Sequence, residues 1–300
     1  MIYSFFDGSL TSGIDGRPDY HVRKNEKGRL MQVPNDALGE IHKRLLVYLR
    51  EHLVSDQLSP SSHRSIWDCV TPHCGRRFIL HTDIKKAYQS IDLVKMVQAL
   101  AAFDPQIDLK NAERVAIVTT FLREYCFFGE TSLLTGAGAS QDLFNLYCEV
   151  WIDEDLRQYC DQEDVVYTRY VDDLTFSSVR KPIGQKRRRA IYEIIRRHGF
   201  TLNDAKTKWI DAHKQTIEIC GLTIGNESPD RVRLSRKRKK VISKKVLEAQ
   251  TGVIEKSVLT GHMTALLYMK KYVPKTLSSG EIRIILRYRS LVRKKKYTRG

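Results

Sequence analysis

The sequence is poor in the features that mark several common classes of protein. Its 300 residues include six cysteines, and these follow no C-x-x-C spacing, so the pattern predicts reduced thiols and no standard zinc motif. No apolar run reaches the length of a membrane span, and the N-terminus lacks the basic start of a secretory signal. With 42% hydrophobic and 29% charged residues, the composition excludes a disordered chain. We expect a folded, cytoplasmic protein.

Acidic residues are scarce in the last seventy positions. Residues 231–300 hold 21 Lys and Arg against 3 Asp and Glu, whereas residues 1–230 hold 30 basic and 32 acidic residues. A basic segment on a near-neutral body indicates contact with a phosphate backbone. An anionic membrane surface is the alternative, but the apolar residues of VLTGHMTALLYMKKYV recur at helical spacing, which favours packing inward. The stretch RVRLSRKRKK lacks the mixed signs of an ordinary solvated surface.

Strand and helix patterns alternate along the chain and predict an α+β fold. Residues 20–34 read as two short strands around a turn from Lys24 to Gly28, and an amphipathic helix follows, begun by an Asn or Asp cap. A short apolar strand ends at Asp83. Further patterns predict helices near 93–103 and 111–127, a long helix with Leu143, Leu146 and Val150 on one side, and strands within 165–178. The basic helix GQKRRRAIYEIIRRHG and a hairpin within IEICGLTIGNESPDRVRLS follow.

Two adjacent aspartates, Asp172 and Asp173, stand in the turn of RYVDDLTFSS. Neighbouring carboxylates repel each other unless a cation offsets their charge. A D-D pair alone is typical of surface turns, but Asp83 at the end of another strand suggests a shared site. Two magnesium ions bound by such carboxylates catalyse phosphoryl transfer. Successive side chains of an extended chain point in opposite directions, and so do those of Asp172 and Asp173. We therefore expect Asp83 and Asp172 to be the principal ligands and Asp173 a secondary one.

Taken together, these motifs resemble those of the reverse transcriptases, above all the compact bacterial enzymes of retrons and phage-defence systems. TDIKKAYQSID and YVDDLTFS are similar to the two catalytic motifs, and GFTLNDAKTK and ICGLTIG to the segments that follow them. YHVRKNEKGRLMQVP resembles the fingers hairpin and the basic tail resembles the thumb. The resemblance covers about residues 20–290. It implies a right-hand polymerase with fingers at 1–80, a palm at 81–230 with interleaved fingers helices at about 93–130, and a small helical basic thumb at 231–300.

The resemblance also implies roles for single residues. Asp83, Asp172 and Asp173 match the carboxylates that bind two Mg²⁺ ions, with the backbone carbonyl of Ile84 near the second ion. Tyr88 matches the aromatic residue that leaves no room for a 2′ hydroxyl and so favours deoxynucleotides.

Further matches concern the nucleotide and the primer. Lys24 and Arg29 match cations that clamp the incoming triphosphate, although both also fit a solvated hairpin tip. Lys206 matches a lysine that helps pyrophosphate leave, or is an inert exposed lysine. Cys220 and Gly221 match the turn that grips the primer end.

One motif departs from the family pattern. Where the relatives have L-P-Q-G-x-x-x-S, this chain has LLTGAGAS, with Leu134 and Thr135 in place of proline and glutamine. Gly136, which lets the backbone approach the nucleotide, is retained, as are Ser140 and Asn145. The V-T-G triplet is likewise altered, to Ile219-Cys220-Gly221. These changes favour the divergent defence-associated group over a typical retron enzyme.

The implied function is an RNA-directed DNA polymerase that extends a 3′ hydroxyl with deoxynucleotides. Its implied partners are a dedicated structured non-coding RNA as template and primer, the DNA product and dNTPs, and its setting is anti-phage defence. An effector protein or a second copy of the chain stays open as a partner, and no membrane is expected. Two alternatives remain: a catalytically idle RNA-binding scaffold of the same fold, and an RNA-dependent RNA polymerase.

Overall fold

The computed structural model describes residues 5–25, 28–52, 66–225, 228–272 and 277–293. Parts of the predicted fingers, palm and thumb lie outside these ranges, including residues 26–27 of the predicted hairpin turn. The chain divides into two compact units, Met1–Cys69 with Phe78–Trp209, and Val70–Arg77 with Ile210–Gly300. Both contain helices and antiparallel strands, so the α+β prediction is confirmed.

The first unit begins with the predicted hairpin and helix. Strands β1 (Tyr20–Lys24) and β2 (Leu30–Pro34) pair antiparallel, and helix α1 (Asp36–His52) follows. Asn35 caps this helix, because its Oδ1 accepts a hydrogen bond from the backbone N–H of Leu38 at 2.9 Å. The residues predicted to form the inward face are fully buried: Leu38, Ile41, Leu45 and Leu49.

A four-stranded sheet forms the centre of this unit. Its strands are β3 (Phe78–Asp83), β4 (Val166–Tyr170), β5 (Asp173–Ser178) and β6 (Lys208–Asp211), in the order β4-β5-β3-β6. Strands β3 and β5 are antiparallel, and Asp83 is the register partner of Asp173. The unit boundary falls within β6, after Trp209.

The two faces of the sheet have different surroundings. Leu80, Leu174 and Phe176 lie on one face and belong to the main hydrophobic core. Because side chains alternate along a strand, His81 and Asp83 lie on the other face. A hydrogen bond of 3.0 Å between His81 Nδ1 and Thr175 Oγ1 is consistent with this assignment. The alternation therefore directs Asp83 away from the helix-covered side.

Helices cover the apolar face. They are α3 (Leu93–Phe103), α4 (Ala112–Tyr125), α5 (Ser140–Cys148), α6 (Glu154–Gln162) and α7 (Gln185–Arg197). Helix α2 (Ile66–Val70) instead contacts the other face, where the Thr168 hydroxyl donates to the Cys69 carbonyl at 2.9 Å. The region predicted as one long helix is interrupted by a π turn at Glu149–Asp153. Leu143 and Leu146 are buried as predicted, whereas Val150 is half-buried. The wider turn ends at Asp153, a fully buried acid.

The second unit combines a three-stranded sheet with three helices. Strands β7 (Thr216–Ile219), β8 (Leu222–Gly225) and β9 (Ser228–Leu234) pair antiparallel in sequence order. Helices α8 (Arg236–Gln250), α9 (Lys256–Tyr272) and α10 (Ser279–Arg293) follow. Leu259, Met263 and Leu266 of α9 are buried, so the apolar stripe of this segment packs inward as predicted. None of the described helices is long and apolar enough to cross a membrane.

Candidate active site

A cavity of about 610 Å³ in the first unit gathers many of the predicted site residues. The end of β3, the β4–β5 turn and the β1–β2 hairpin contribute to its wall. Its lining includes Arg29, Asp83, Ile84, Tyr88, Asp172 and Lys206. Lys24, Gly136 and Asp173 are not lining residues. Residues far apart in sequence thus share one concave surface, as is typical of binding and catalytic sites.

Asp83 is buried and held by two side-chain donors. It is 5% exposed, and its Oδ1 accepts a hydrogen bond from Lys206 Nζ at 2.6 Å. Its Oδ2 accepts a weaker bond from Asn203 Nδ2 at 3.2 Å. The backbone N–H of Asn203 also donates to the Asp83 carbonyl at 2.8 Å. A cation and an amide therefore fix this carboxylate at the end of its strand.

Asp172 stands in a tight two-residue turn between β4 and β5. Tyr170 and Asp173 are paired on either side of this turn, and Val171 has a φ of +56°. Short hairpin turns need positive φ values, but a β-branched residue adopts them at a cost in strain. The N–H of Ile84 donates to the Asp172 carbonyl at 2.8 Å. This bond joins the turn to the end of β3 and brings the two aspartates, eighty-nine positions apart, to one cavity wall.

The electrostatics of the cavity favour a bound cation. Burial raises the pKa of Asp172, and the neighbouring charge of Asp83 raises it further, while Lys206 and Arg29 oppose the shift. Two carboxylates that disfavour each other's charge are stabilised by a cation between them.

The donor atoms present suit magnesium. Within the described ranges, no three His, Cys, Asp or Glu side chains form a metal-binding group on their own. The cavity wall instead offers the carboxylates of Asp83 and Asp172 together with Ile84. Oxygen ligands in small number fit Mg²⁺, which keeps several waters and takes substrate phosphates as further ligands.

A buried ion pair that no sequence motif predicts supports the aspartate turn. Arg169 and Asp153 are both fully buried, with Nη2 and Oδ2 2.6 Å apart. Arg169 Nη1 also donates to Asn145 Oδ1 at 2.6 Å and to the Val171 carbonyl at 3.0 Å. The guanidinium thus restrains the strained residue next to Asp172. An arginine inside a predicted strand is the only signal in the sequence, and it does not reveal the partner.

Tyr88 forms a packed wall of the cavity. Its ring lies edge-to-face against the buried ring of Phe144, with centroids 5.5 Å apart. Burial raises the pKa of Tyr88 to about 12, with a further contribution from Asp172, so the hydroxyl stays neutral at physiological pH. The packing against Phe144 limits the positions open to the ring.

The two predicted hairpin cations differ in position. Arg29 lines the cavity and its charge acts on Asp172. Lys24 is exposed on β1 opposite Leu30. The structure brings Arg29, and not Lys24, to the candidate site.

The altered loop LLTGAGAS contacts the hairpin through Gln32, a residue that no sequence motif indicates. Gln32 Oε1 accepts hydrogen bonds from the Thr135 hydroxyl at 2.7 Å and from the Thr135 N–H at 3.1 Å. A Cβ atom on Gly136 would lie 2.3 Å from the Gln32 carbonyl oxygen, which no side chain tolerates. Gly136 therefore allows β2 to lie close to the loop. Gln32 of β2 contacts the loop directly.

The predicted primer-grip turn lies in the second unit. Cys220 and Gly221 have φ values of +50° and +77°, which form the tight connection between β7 and β8. Arg238 Nη1 donates to the Cys220 carbonyl at 2.9 Å, and a Cβ on Gly221 would lie 2.9 Å from the same nitrogen. Arg238, which in the sequence is one residue of a basic run, thus holds this turn.

Comparison with known proteins identifies the class to which this fold and site belong. Residues 22–224 match the family model for reverse transcriptase (RNA-dependent DNA polymerase), and the chain belongs to this family. Retron Ec86 reverse transcriptase of Escherichia coli is 28% identical over 232 residues, which are 76% of this chain and 68% of that protein. Retron Ec83 reverse transcriptase, also of E. coli, is 23% identical over 260 residues, 83% and 80% of the two chains. The predicted resemblance to retron enzymes is confirmed, and the chain is an RNA-directed DNA polymerase.

Solved structures of telomerase share the fold. Apo telomerase from Candida tropicalis superposes with a TM-score of 0.56 at 11% identity, over 93% of this chain and 58% of that one. The complex of this telomerase with a TWJ fragment of telomeric RNA also gives 0.56 at 11%, over 94% and 62%. The chain spans less than two thirds of either telomerase chain. At this identity the likeness concerns the fold alone, and it confirms the right-hand polymerase prediction.

Proposed function

We propose that the cavity around Asp83 and Asp172 is the polymerase active site, where a primer 3′ hydroxyl attacks the α-phosphate of a deoxynucleotide opposite an RNA template. One observation carries this proposal: the two carboxylates line the same cavity as Arg29, Tyr88 and Lys206. Reverse transcriptases as a family use divalent metal ions. Asp83, Asp172, Asp173 and the carbonyl of Ile84 would hold two Mg²⁺ ions, which supply charge stabilisation for phosphoryl transfer.

The remaining residues bind and orient the substrates. The guanidinium of Arg29 is suited to pair with phosphate oxygens of the incoming nucleotide, since its fork makes two parallel hydrogen bonds. The ring of Tyr88 excludes a 2′ hydroxyl by its bulk. Lys206, bound to Asp83 in the structure, neutralises that carboxylate and can move to the pyrophosphate when Asp83 exchanges partners. Cys220 and Gly221 hold the primer end.

The template in this proposal is a dedicated structured RNA, and the setting is defence against phage. Support comes from the retron enzymes among the relatives and from the excess of cations over acids in residues 231–300. The bound RNA supplies both template and primer, and the product is a short DNA. An effector protein or a second copy of the chain completes the system. Synthesis takes place in the cytoplasm.

Sequencing the nucleic acid that copurifies with the chain tests the template assignment. Random cellular RNA in place of one recurrent species would contradict it.

The test of the active site is primer extension by an Asp172→Asn variant. Oligo(dT) annealed to poly(rA), with dTTP and Mg²⁺, reports synthesis independently of the natural template. The amide keeps the size of the side chain but removes its charge, so we expect the rate to fall by more than the roughly 100-fold lost when an outer-shell partner is removed. Asp204→Asn is the matched control, because Asp204 is exposed and does not line the cavity.

The alternatives give different results in the same assay. Extension by Asp172→Asn at the wild-type rate would place the active site elsewhere. RNA binding by the wild-type chain without any extension would favour the idle scaffold.

A further inference from the structure

Helix α7 carries a basic surface that the proposed reaction does not use. Residues 180–197 contain eight Lys and Arg and a single acid, Glu193. Lys186 and Arg189 are exposed and lie three positions apart, on the same side of the helix. Two more exposed cations precede the helix. We name these four residues the outer α7 surface: Arg180, Lys181, Lys186 and Arg189.

Other cations of the segment are engaged in ion pairs. Arg187 Nε lies 2.8 Å from Glu163 Oε2, and Arg196 Nη2 lies 2.7 Å from Glu193 Oε2. Arg197 is 3.8 Å from Asp155. In the described part of the chain, no acidic group lies within ion-pairing distance of the four cations of the outer α7 surface. Glu163 and Asp164 line a cavity with Arg180 and Lys181, and Glu193, which pairs with Arg196, also interacts with Arg189. None of these acids forms an ion pair with the four cations of the outer α7 surface.

The position of these charges works against the helix itself. Residues 186–189 are four successive cations at the start of α7, three of them in its first turn, and that turn contains no acid. The positive end of the helix dipole disfavours cations at this place, and like charges one turn apart repel each other. The ion pair of Arg187 with Glu163 offsets part of this repulsion, and an anionic partner at the remaining cations would offset the rest.

The outer α7 surface lies away from the active-site cavity. Ile191 and Ile195 of α7 belong to the same core as Leu174 and Phe176, which occupy the sheet face opposite to Asp83. No residue of α7 lines the cavity. A partner bound here therefore does not compete with the nucleotide.

The chemistry of the surface identifies the kind of partner. Binding in a membrane interface requires an apolar helix face that can enter the lipid, but Ile191, Ile194 and Ile195 are buried in the protein. A protein interface usually has an apolar or aromatic centre, whereas this surface is defined by four cations. Lys and Arg side chains that outnumber the acids around them match a phosphate backbone. Double-stranded RNA is bound in this way, by phosphate and shape.

We propose that the outer α7 surface binds the phosphate backbone of structured RNA outside the active-site cavity. The proposal rests on the proposed function, since an RNA-templated polymerase requires an RNA partner. RNA held at this second place stays attached to the enzyme while its single-stranded part passes through the cavity.

The test compares RNA binding by charge-reversed variants. The probe is a labelled RNA hairpin with a stem of about 16 base pairs, and fluorescence anisotropy gives its Kd between roughly 50 and 200 mM salt. Each cation that contacts a phosphate contributes about one unit to the salt slope. We expect Lys186→Glu with Arg189→Glu to weaken binding by at least about tenfold and to reduce the slope by about two. The charge-conserving variant, Lys186→Arg with Arg189→Lys, should bind the RNA as tightly as the wild type does.

The matched control makes the same charge change at exposed cations on other helices or loops, Arg50→Glu with Lys110→Glu. An equal loss of RNA affinity in this control would show that the effect follows from net charge alone and would overturn the proposal. Unchanged Kd and salt slope in the α7 variant would also overturn the proposal. So would a variant that loses a copurifying acidic protein but keeps its RNA affinity.

Extension of oligo(dT) on poly(rA) by the wild-type chain is measured alongside. If the wild-type chain fails to extend, the proposed function fails; if it extends and all variants bind RNA alike, only the α7 proposal fails.

Discussion

Gln32 and Thr135, more than one hundred positions apart, are joined by two hydrogen bonds to a single amide oxygen. The Thr135 hydroxyl also lies 3.3 Å from the carbonyl of Leu30. Thr135 lines the cavity, as do Arg29 and Leu30 of the hairpin. These bonds therefore tie the strand that follows Arg29 to the loop in which the family glutamine is replaced by threonine.

Removing the Thr135 hydroxyl should loosen this connection. Thr135→Val keeps the shape but loses the 2.7 Å bond, so we expect about 1 kcal/mol less stability. If Arg29 contacts the nucleotide, the KM for dTTP should rise by about fivefold, the equivalent of 1 kcal/mol, with little change in kcat. Steady-state extension and thermal unfolding measure the two effects. Ser132→Ala is the control, because it removes a hydroxyl whose bond among the described residues is to the adjacent Leu133 carbonyl. An equal KM change in both variants would contradict the prediction.

Gly136 should not tolerate a methyl group, whereas Gly138 should. The added carbon of Gly136→Ala meets the Gln32 backbone at 2.3 Å, but that of Gly138→Ala lies 3.6 Å from Leu46 Cδ1, an ordinary contact. Overpacking of this kind costs about 1–3 kcal/mol. Chemical denaturation should show that loss for Gly136→Ala and near-wild-type stability for Gly138→Ala. Similar stabilities for the two variants would show that β2 can move away from the loop.

Tyr88 should control the choice of sugar through its ring. Tyr88→Ala opens space beside Phe144, so the preference for dNTPs over rNTPs, measured as a ratio of kcat/KM, should fall by at least about tenfold. Tyr88→Phe keeps the ring and should keep the preference, because a neutral hydroxyl is not required for a steric barrier. If the wild-type enzyme already incorporates ribonucleotides as well as deoxynucleotides, the result would favour an RNA-dependent RNA polymerase.

Replacing only one member of the buried Arg169–Asp153 ion pair should lower the stability of the protein. Arg169→Met leaves the Asp153 carboxylate buried without its cation, and such losses are about 3–5 kcal/mol. For a unit of this size the Tm should fall by on the order of 10 °C. Replacing both residues, as Arg169→Met with Asp153→Leu, should recover much of the loss because no charge is left buried. A Tm for the single variant within about 2 °C of wild type would contradict this account.

Stability should decrease in mild acid because of His42. Its Nε2–H donates to the Tyr125 carbonyl at 2.8 Å and its Nδ1 accepts from the Ala139 N–H at 3.3 Å, which requires a neutral ring. Burial lowers its pKa to about 4, below about 6.5 in the unfolded chain. The unfolded state therefore binds more protons between these values, and stability is lost as the pH falls from about 6.5 to 4, by up to about 3 kcal/mol.

Denaturant unfolding across this pH range measures the effect. His42→Gln offers a donor and an acceptor without titrating, and it should reduce the slope, leaving the part due to His81, whose pKa burial also lowers to about 4. An unchanged slope in this variant would assign the acid sensitivity to other groups.

Local sequence patterns were enough to predict most of the helices and strands and the chemical class. Helical spacing placed Leu38, Ile41, Leu45 and Leu49 on one buried face, because local periodicity and the core obey the same geometry. The order of the motifs around Asp83 and Asp172 was enough to indicate a polymerase, since short segments carry the residue types that phosphoryl transfer needs.

The tertiary structure alone decided which side chains support the site. Gln32 with Thr135, Arg169 with Asp153 and Arg238 with the Cys220 carbonyl are pairs separated in sequence, and no local pattern joins their members. Lys24 and Arg29, equivalent as hairpin cations in the sequence, separate in space because only Arg29 reaches the cavity. The physical reason is that a hydrogen bond or an ion pair depends on distances of about 3 Å, which sheet register and helix packing set across the whole unit.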